Sequence, residues 1–128
     1  MLPLRYLWIW MLFGWLLVAG VVVGSLIPDA PLRALHVPDK VQHAFSYGVL
    51  MIWFAGLYAR SHHVWIALTV LTLGAVLEII QSQLSYRSFD PVDMLANVGG
   101  VLVGFVLSFW ILAGWCQRLE RHLISRDS

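Results

Sequence analysis

Four apolar runs of about 20 residues each fill most of this chain, near Leu4–Leu26, Val41–Ala59, Val64–Leu84 and Met94–Trp115. At 1.5 Å of rise per residue such a run reaches about 30 Å, the depth of a bilayer's hydrocarbon core. Lipid offers no water to satisfy backbone N–H and C=O groups, so a spanning segment has to close them within a helix. The composition agrees: 60% of the residues are apolar and 12% charged, whereas a soluble domain sits nearer ~45–50% and ~25%. The expected fold is all-α, a polytopic membrane protein in which a compact bundle of four transmembrane helices forms one domain over residues 1–128. Arg5 ahead of the first run looks like the start of a signal peptide. The run is too long for a signal core and nothing downstream reads as a soluble mature domain, so a retained helix is expected.

Charge sets the orientation. With the N-terminus in the cytoplasm, Arg5, Arg60, Arg118, Arg121 and Arg126 lie inside, while Arg33, Lys40 and Arg87 lie outside. That bias favours both termini on the cytoplasmic side. Trp8, Trp10, Trp15, Trp53, Trp65, Trp110 and Trp115, with Tyr6 and Tyr58, fall in the half of each span nearest that side and read as an interfacial belt. A net charge of +1 without a basic run gives no ground for a nucleic-acid partner. A lone cysteine, Cys116, excludes an internal disulfide and reads as a small apolar filler.

The connections carry local signals. Arg60-Ser61-His62-His63 is short enough to make an antiparallel hairpin of spans two and three, with the adjacent histidines as a surface pair. Pro38-Asp39-Lys40 reads as a helix start with Asp39 as N-cap. Asp90-Pro91-Val92-Asp93 reads as another, with Asp90 as N-cap, Pro91 at the first helical position and Asp93 at the third. Gly20 with Gly24, and Gly100 with Gly104, are small-xxx-small pairs that let helices approach closely.

Polar residues interrupt three of the apolar runs at helical spacing. Asp93, Asn97, Gly100 and Gly104 form one stripe, Lys40, His43 and Tyr47 a second, and Glu78 with Gln81 a third. With four spans all three stripes lie at the outer end, joined there by Arg87 and Asp90. Glu78 is the most informative, because a carboxylate inside a span costs a few kcal/mol unless paired. Glu78 and His43 are the candidates for general acid or base. Lys40 and Arg87 suit a phosphate or carboxylate, and Tyr47, Gln81, Asp90, Asp93 and Asn97 complete a binding set. The chain has no dense acidic motif, phosphate loop, nucleophile elbow or HExxH, so no metal site is expected, and the residues leave the cofactor unknown. The structural alternative is an ion-pair network locking the helices, with Lys40 reaching the headgroups and His43 a satisfied core histidine.

Asp39-Lys40-Val41-Gln42-His43 with Tyr47, Glu78-Ile79-Ile80-Gln81, Arg87-Ser88-Phe89-Asp90, and Asp93-Met94-Leu95-Ala96-Asn97-Val98-Gly99-Gly100 with Gly104 resemble, in order and spacing, the VanZ-like family. That family is named for a membrane protein of glycopeptide (teicoplanin) resistance. The likeness covers roughly 37–104; the first span and the C-terminal tail match in hydropathy alone. Two positions depart: Ala44 follows the histidine where an aromatic is common, and Leu77 precedes the glutamate where an acid is common. The resemblance implies a compact helical domain in a bacterial inner (cytoplasmic) membrane and a link to cell-envelope or antibiotic tolerance. The expected function is an outward-facing pocket that binds or processes a lipid-linked or cell-wall-precursor anionic group; a non-catalytic accessory or scaffold is the alternative.

Overall fold

The computed structural model describes residues 1–28 and 36–125. Arg33 and Arg126, which enter the charge bias, and Pro31 lie outside the described residues. Five α-helices and no strand are found among the described residues: α1 (Leu7–Leu26), α2 (Asp39–Leu57), α3 (His63–Ser82), α4 (Pro91–Trp110) and α5 (Trp115–Ile124). A single 3-10 turn, Arg60–His62, joins α2 to α3 as the short connection requires. Three segments are long and apolar enough to cross a membrane: Leu7–Leu26, Arg60–Ser82 and Pro91–Trp110. The chain is therefore a helical membrane protein. The run at 41–59 is not among the three, because the helix containing it opens with Asp39, Lys40, Gln42 and His43.

The tightest seam joins α2 to α4. A Cβ on Gly100 would fall on the carbonyl oxygen of Ala44, and one on Gly104 would come within 2.8 Å of the Gly48 carbonyl oxygen. Two backbones this close exclude any side chain between them, so the small-residue reading of Gly100 and Gly104 holds. Gly20 and Gly24 behave differently: a Cβ on either meets nothing within 4 Å, and both border a cavity. Tyr47, Leu50, Met51, Ala55, Val70 and Val101 form the buried core among α2, α3 and α4. Outward faces stay apolar, with Leu16, Val23, Leu102, Val106 and Trp110 exposed as a lipid-facing wall requires.

Several expectations need correction. The fourth run ends at Trp110, not Trp115; after the bend at Ile111–Gly114, where Gly114 takes the left-handed φ of 65°, a short amphipathic α5 begins. Hydropathy alone could not see the break, since Ile111, Leu112 and Ala113 are as apolar as what precedes them. The first helix starts at Leu7, because the N–H groups of Arg5 and Tyr6 turn to the Glu120 carboxylate at 2.7 and 2.8 Å. Trp10, Trp53 and Trp115 pack on one another and are half-buried. Their rings lie 5.5 to 5.7 Å apart in one knot, while Trp8, Trp15, Trp65 and Trp110 remain exposed. His63 is not half of a surface pair: it is buried between Phe105 and Phe109, its Nε2 donating to the Ala55 carbonyl at 3.1 Å. Cys116 is fully buried beneath Gly56, and burial pushes its thiol pKa up to about 12, as befits an inert filler.

Candidate functional site

The start of α2, the end of α3 and the start of α4 meet at one end of the bundle, where the end of α1 joins them. Asp90 caps α4 as its sequence foretells: its Oδ1 accepts from the Val92 N–H at 2.8 Å, with Pro91 at the first helical position. That hydrogen bond, followed by the Lys40 ammonium, holds the Asp90 carboxyl below its ordinary range. In a capping box the third residue would return a hydrogen bond to the N-cap N–H. Here Glu78 takes that place from another helix, its Oε1 accepting from the Asp90 N–H at 2.9 Å. Asp93, relieved of capping, turns its carboxylate toward α2.

Lys40 reaches both acids from α2, donating to Asp90 Oδ2 at 3.0 Å and Asp93 Oδ1 at 3.4 Å. Its pair with Asp90 is solvent-exposed, so water and salt screen it and it adds little to stability. Deeper in, Asp93 Oδ2 lies 3.8 Å from His43 Nε2. His43 Nδ1 sits 3.0 Å from Asn97 Oδ1. An amide oxygen only accepts, so Nδ1 carries the proton in this contact and Nε2 is turned toward Asp93. The His43 ring also stacks parallel on Tyr47, at 6.5 Å between centroids. Glu78 and Asn97 are each 2% exposed and Tyr47 equally buried, so none faces lipid.

The nine candidate residues that the sequence groups into one pocket resolve into two layers. A cavity of about 410 Å³ is walled by Asp39, Gln42, His43, Ser46, Tyr47, Gln81 and Arg87 on one side and by Gly20, Val21, Val23, Gly24 and Ser25 of α1, with its C-cap Ile27, on the other. Lys40, Glu78, Asp90, Asp93 and Asn97 stand behind it, because the close α2–α4 seam places the α4 stripe against α2. Among the described residues Glu78 pairs with none of the cations expected for it; its partner is the α4 backbone. Gln81 donates to the Ser25 carbonyl at 2.8 Å and so ties α3 to α1. Arg87 lies 3.7 Å from Asp39 Oδ2, with its Nε buried and lacking a hydrogen-bond partner.

Asp39 is the main residue that sequence reasoning missed. It is not the N-cap of α2: Pro38 holds that position, and Asp39 is the first helical residue, its carboxylate facing Arg87. Its spacing to Gln42, His43 and Ser46 carried the signal, since steps of three and four put all of them on adjoining faces. The α1 wall carried little, Ser25 being its one polar side chain. Asp39, His43 and Asp93 each bring one ligating atom into a group spanning no more than 4.8 Å.

No family model matches the chain, and no solved structure matches it. An uncharacterized protein of Schizosaccharomyces pombe is 28% identical over 109 residues, which cover 82% of this chain and 65% of that protein. The chain thus spans less than two thirds of the length of the yeast protein it resembles, whose description names no activity.

Proposed function

We propose that this chain is a four-span membrane protein of the VanZ-like kind whose outer-face pocket binds the anionic group of a lipid-linked or cell-envelope amphiphile. Arg87 carries this reading. It is always charged, its Nε has no hydrogen-bond partner and its Asp39 contact at 3.7 Å is long for a hydrogen bond. A phosphate or carboxylate would use that spare donor capacity. The cavity suits an amphiphile, with polar groups from α2 and α3 facing an apolar wall of α1. For the fourth span, α2 is 19 residues long, about 28 Å, and its polar groups beyond the exposed Lys40 face protein or the cavity. Charge bias favours termini in the cytoplasm and the pocket outside. The bacterial inner membrane and the link to envelope or glycopeptide tolerance rest on the family resemblance, beside which stands a relative from yeast.

A second reading has its own support. The chain of hydrogen bonds and one longer Asp93–His43 contact, running from Glu78 through Asp90, Lys40, Asp93 and His43 to Asn97, joins three helices, as in a non-catalytic accessory or scaffold. Native mass spectrometry and melting temperature of the detergent-purified protein separate the two. Arg87→Gln and His43→Ala are expected to melt as the wild type does while losing most co-purifying anionic lipid. Retained lipid with a falling melting temperature would favour the scaffold.

A further inference from the structure

The charges around the pocket do not balance for an anion. Among the described residues Asp39, Glu78, Asp90 and Asp93 stand against Lys40 and Arg87, four carboxylates to two cations, and both cations already lean on carboxylates. An anionic group arriving there meets net negative charge unless a further cation is present. His43 is oriented for one. Its Nδ1–H is committed to Asn97 Oδ1 at 3.0 Å, which aims Nε2 at Asp93. A metal-ligating histidine is held in the same way, its other ring nitrogen donating to an oxygen that fixes tautomer and ring plane. The 3.8 Å between Nε2 and Asp93 Oδ2 is too long for a hydrogen bond. Two donors bound to one ion at about 2.0–2.2 Å each stand only a little closer. Asp93 divides its oxygens, Oδ1 to Lys40 and Oδ2 toward His43, and Asp39 supplies the third donor within the same 4.8 Å.

We propose that Asp39, His43 and Asp93 hold a divalent first-row metal ion at the polar wall of the cavity, and that its open coordination positions receive the anionic group. One nitrogen and two carboxylates form a borderline donor set, suited to Zn²⁺ or Mn²⁺ and leaving room for water or a ligand oxygen. The ion brings the four carboxylates into local charge balance and leaves Arg87 its spare Nε–H for the anion. Asn97 is a positioning residue, acting through the His43 ring.

The proposal builds on the anion-binding reading, so its test is made without lipid. The whole chain in detergent, stripped with a chelator and desalted, is titrated with ZnCl₂ and with MnCl₂ in a calorimeter, and bound metal is counted by elemental mass spectrometry. One ion per chain is expected. His43→Gln and Asp39→Asn should each weaken binding at least about 100-fold, and Asn97→Ala about 10- to 100-fold. Asp39 is partly exposed and its described partner is Arg87, so Asp39→Asn keeps the test open should a deeper variant fail to fold. His62→Ala, on the exposed turn at the opposite end of α3, should leave binding unchanged. Absence of a saturable site for both ions, or a site that survives His43→Gln, would overturn the proposal. Retained lipid binding without metal would sink this inference alone; metal binding without lipid would leave the ion site standing and sink the lipid reading together with the ion's part in receiving the anion.

Discussion

One added methyl is enough to force α2 and α4 apart. At Gly100 it would land on the backbone carbonyl of Ala44, which has no rotamer through which to yield, whereas at the neighbouring Gly99 it meets nothing within 4 Å. Gly100→Ala is therefore expected to destabilise the protein by about 3 kcal/mol, at the upper end of overpacking costs. Gly99→Ala should stay within about 1 kcal/mol of the wild type. Equilibrium unfolding in detergent measures both, and equal stabilities would show that the seam is not as close as described. Spacing alone exposed Gly100 and Gly104, because helical periodicity and small side chains are local properties. It could not expose His63: adjacent histidines look alike in sequence, and only the Ala55 carbonyl and two phenylalanines decide which one is buried.

α1 begins where a residue from the far end of the chain caps it. Glu120 of α5 accepts from the N–H groups of Arg5 and Tyr6 and from the Trp10 indole at 3.1 Å, placing a carboxylate at the positive end of the helix dipole. Burial raises the Glu120 pKa, but these donors outweigh burial and hold it below the usual 4.5. A carboxyl with a lowered folded-state pKa stabilises the fold fully above its unfolded value and loses that contribution as pH falls through the folded one. Glu120→Gln should thus cost about 1–2 kcal/mol at neutral pH through its weakened hydrogen bonds. The difference in melting temperature from the wild type should shrink once pH is below about 4. A difference that persists unchanged in acid would contradict this role. No local pattern reveals such a cap. The start of α5 was missed: Gly114 marks it, but the apolar run through Ala113 masked the break.

Across the whole molecule, the stripes on α2, α3 and α4 needed only helical spacing and lipid's intolerance of unpaired polar groups to be brought to one end. Glu78, Asn97 and His43 accordingly lie buried and linked within the protein. Less legible was which of them face the cavity. That depends on the α2–α4 seam, which packs Asp93 and Asn97 against α2 and leaves the open side to α1. Ser46 lines the cavity while its neighbour Phe45 is 71% exposed on the lipid-facing surface, so the two positions separate water from hydrocarbon one residue apart. Cysteine placed at each, treated in intact cells with a membrane-impermeant maleimide, tests whether the pocket opens to the outer face. A thiol in water ionises and reacts, whereas one in lipid stays protonated and inert. Ser46→Cys is expected to label from outside and Phe45→Cys to remain unlabelled. Labelling of Ser46→Cys only after the cytoplasmic side is exposed, or of neither from either side, would contradict an outward-opening polar pocket.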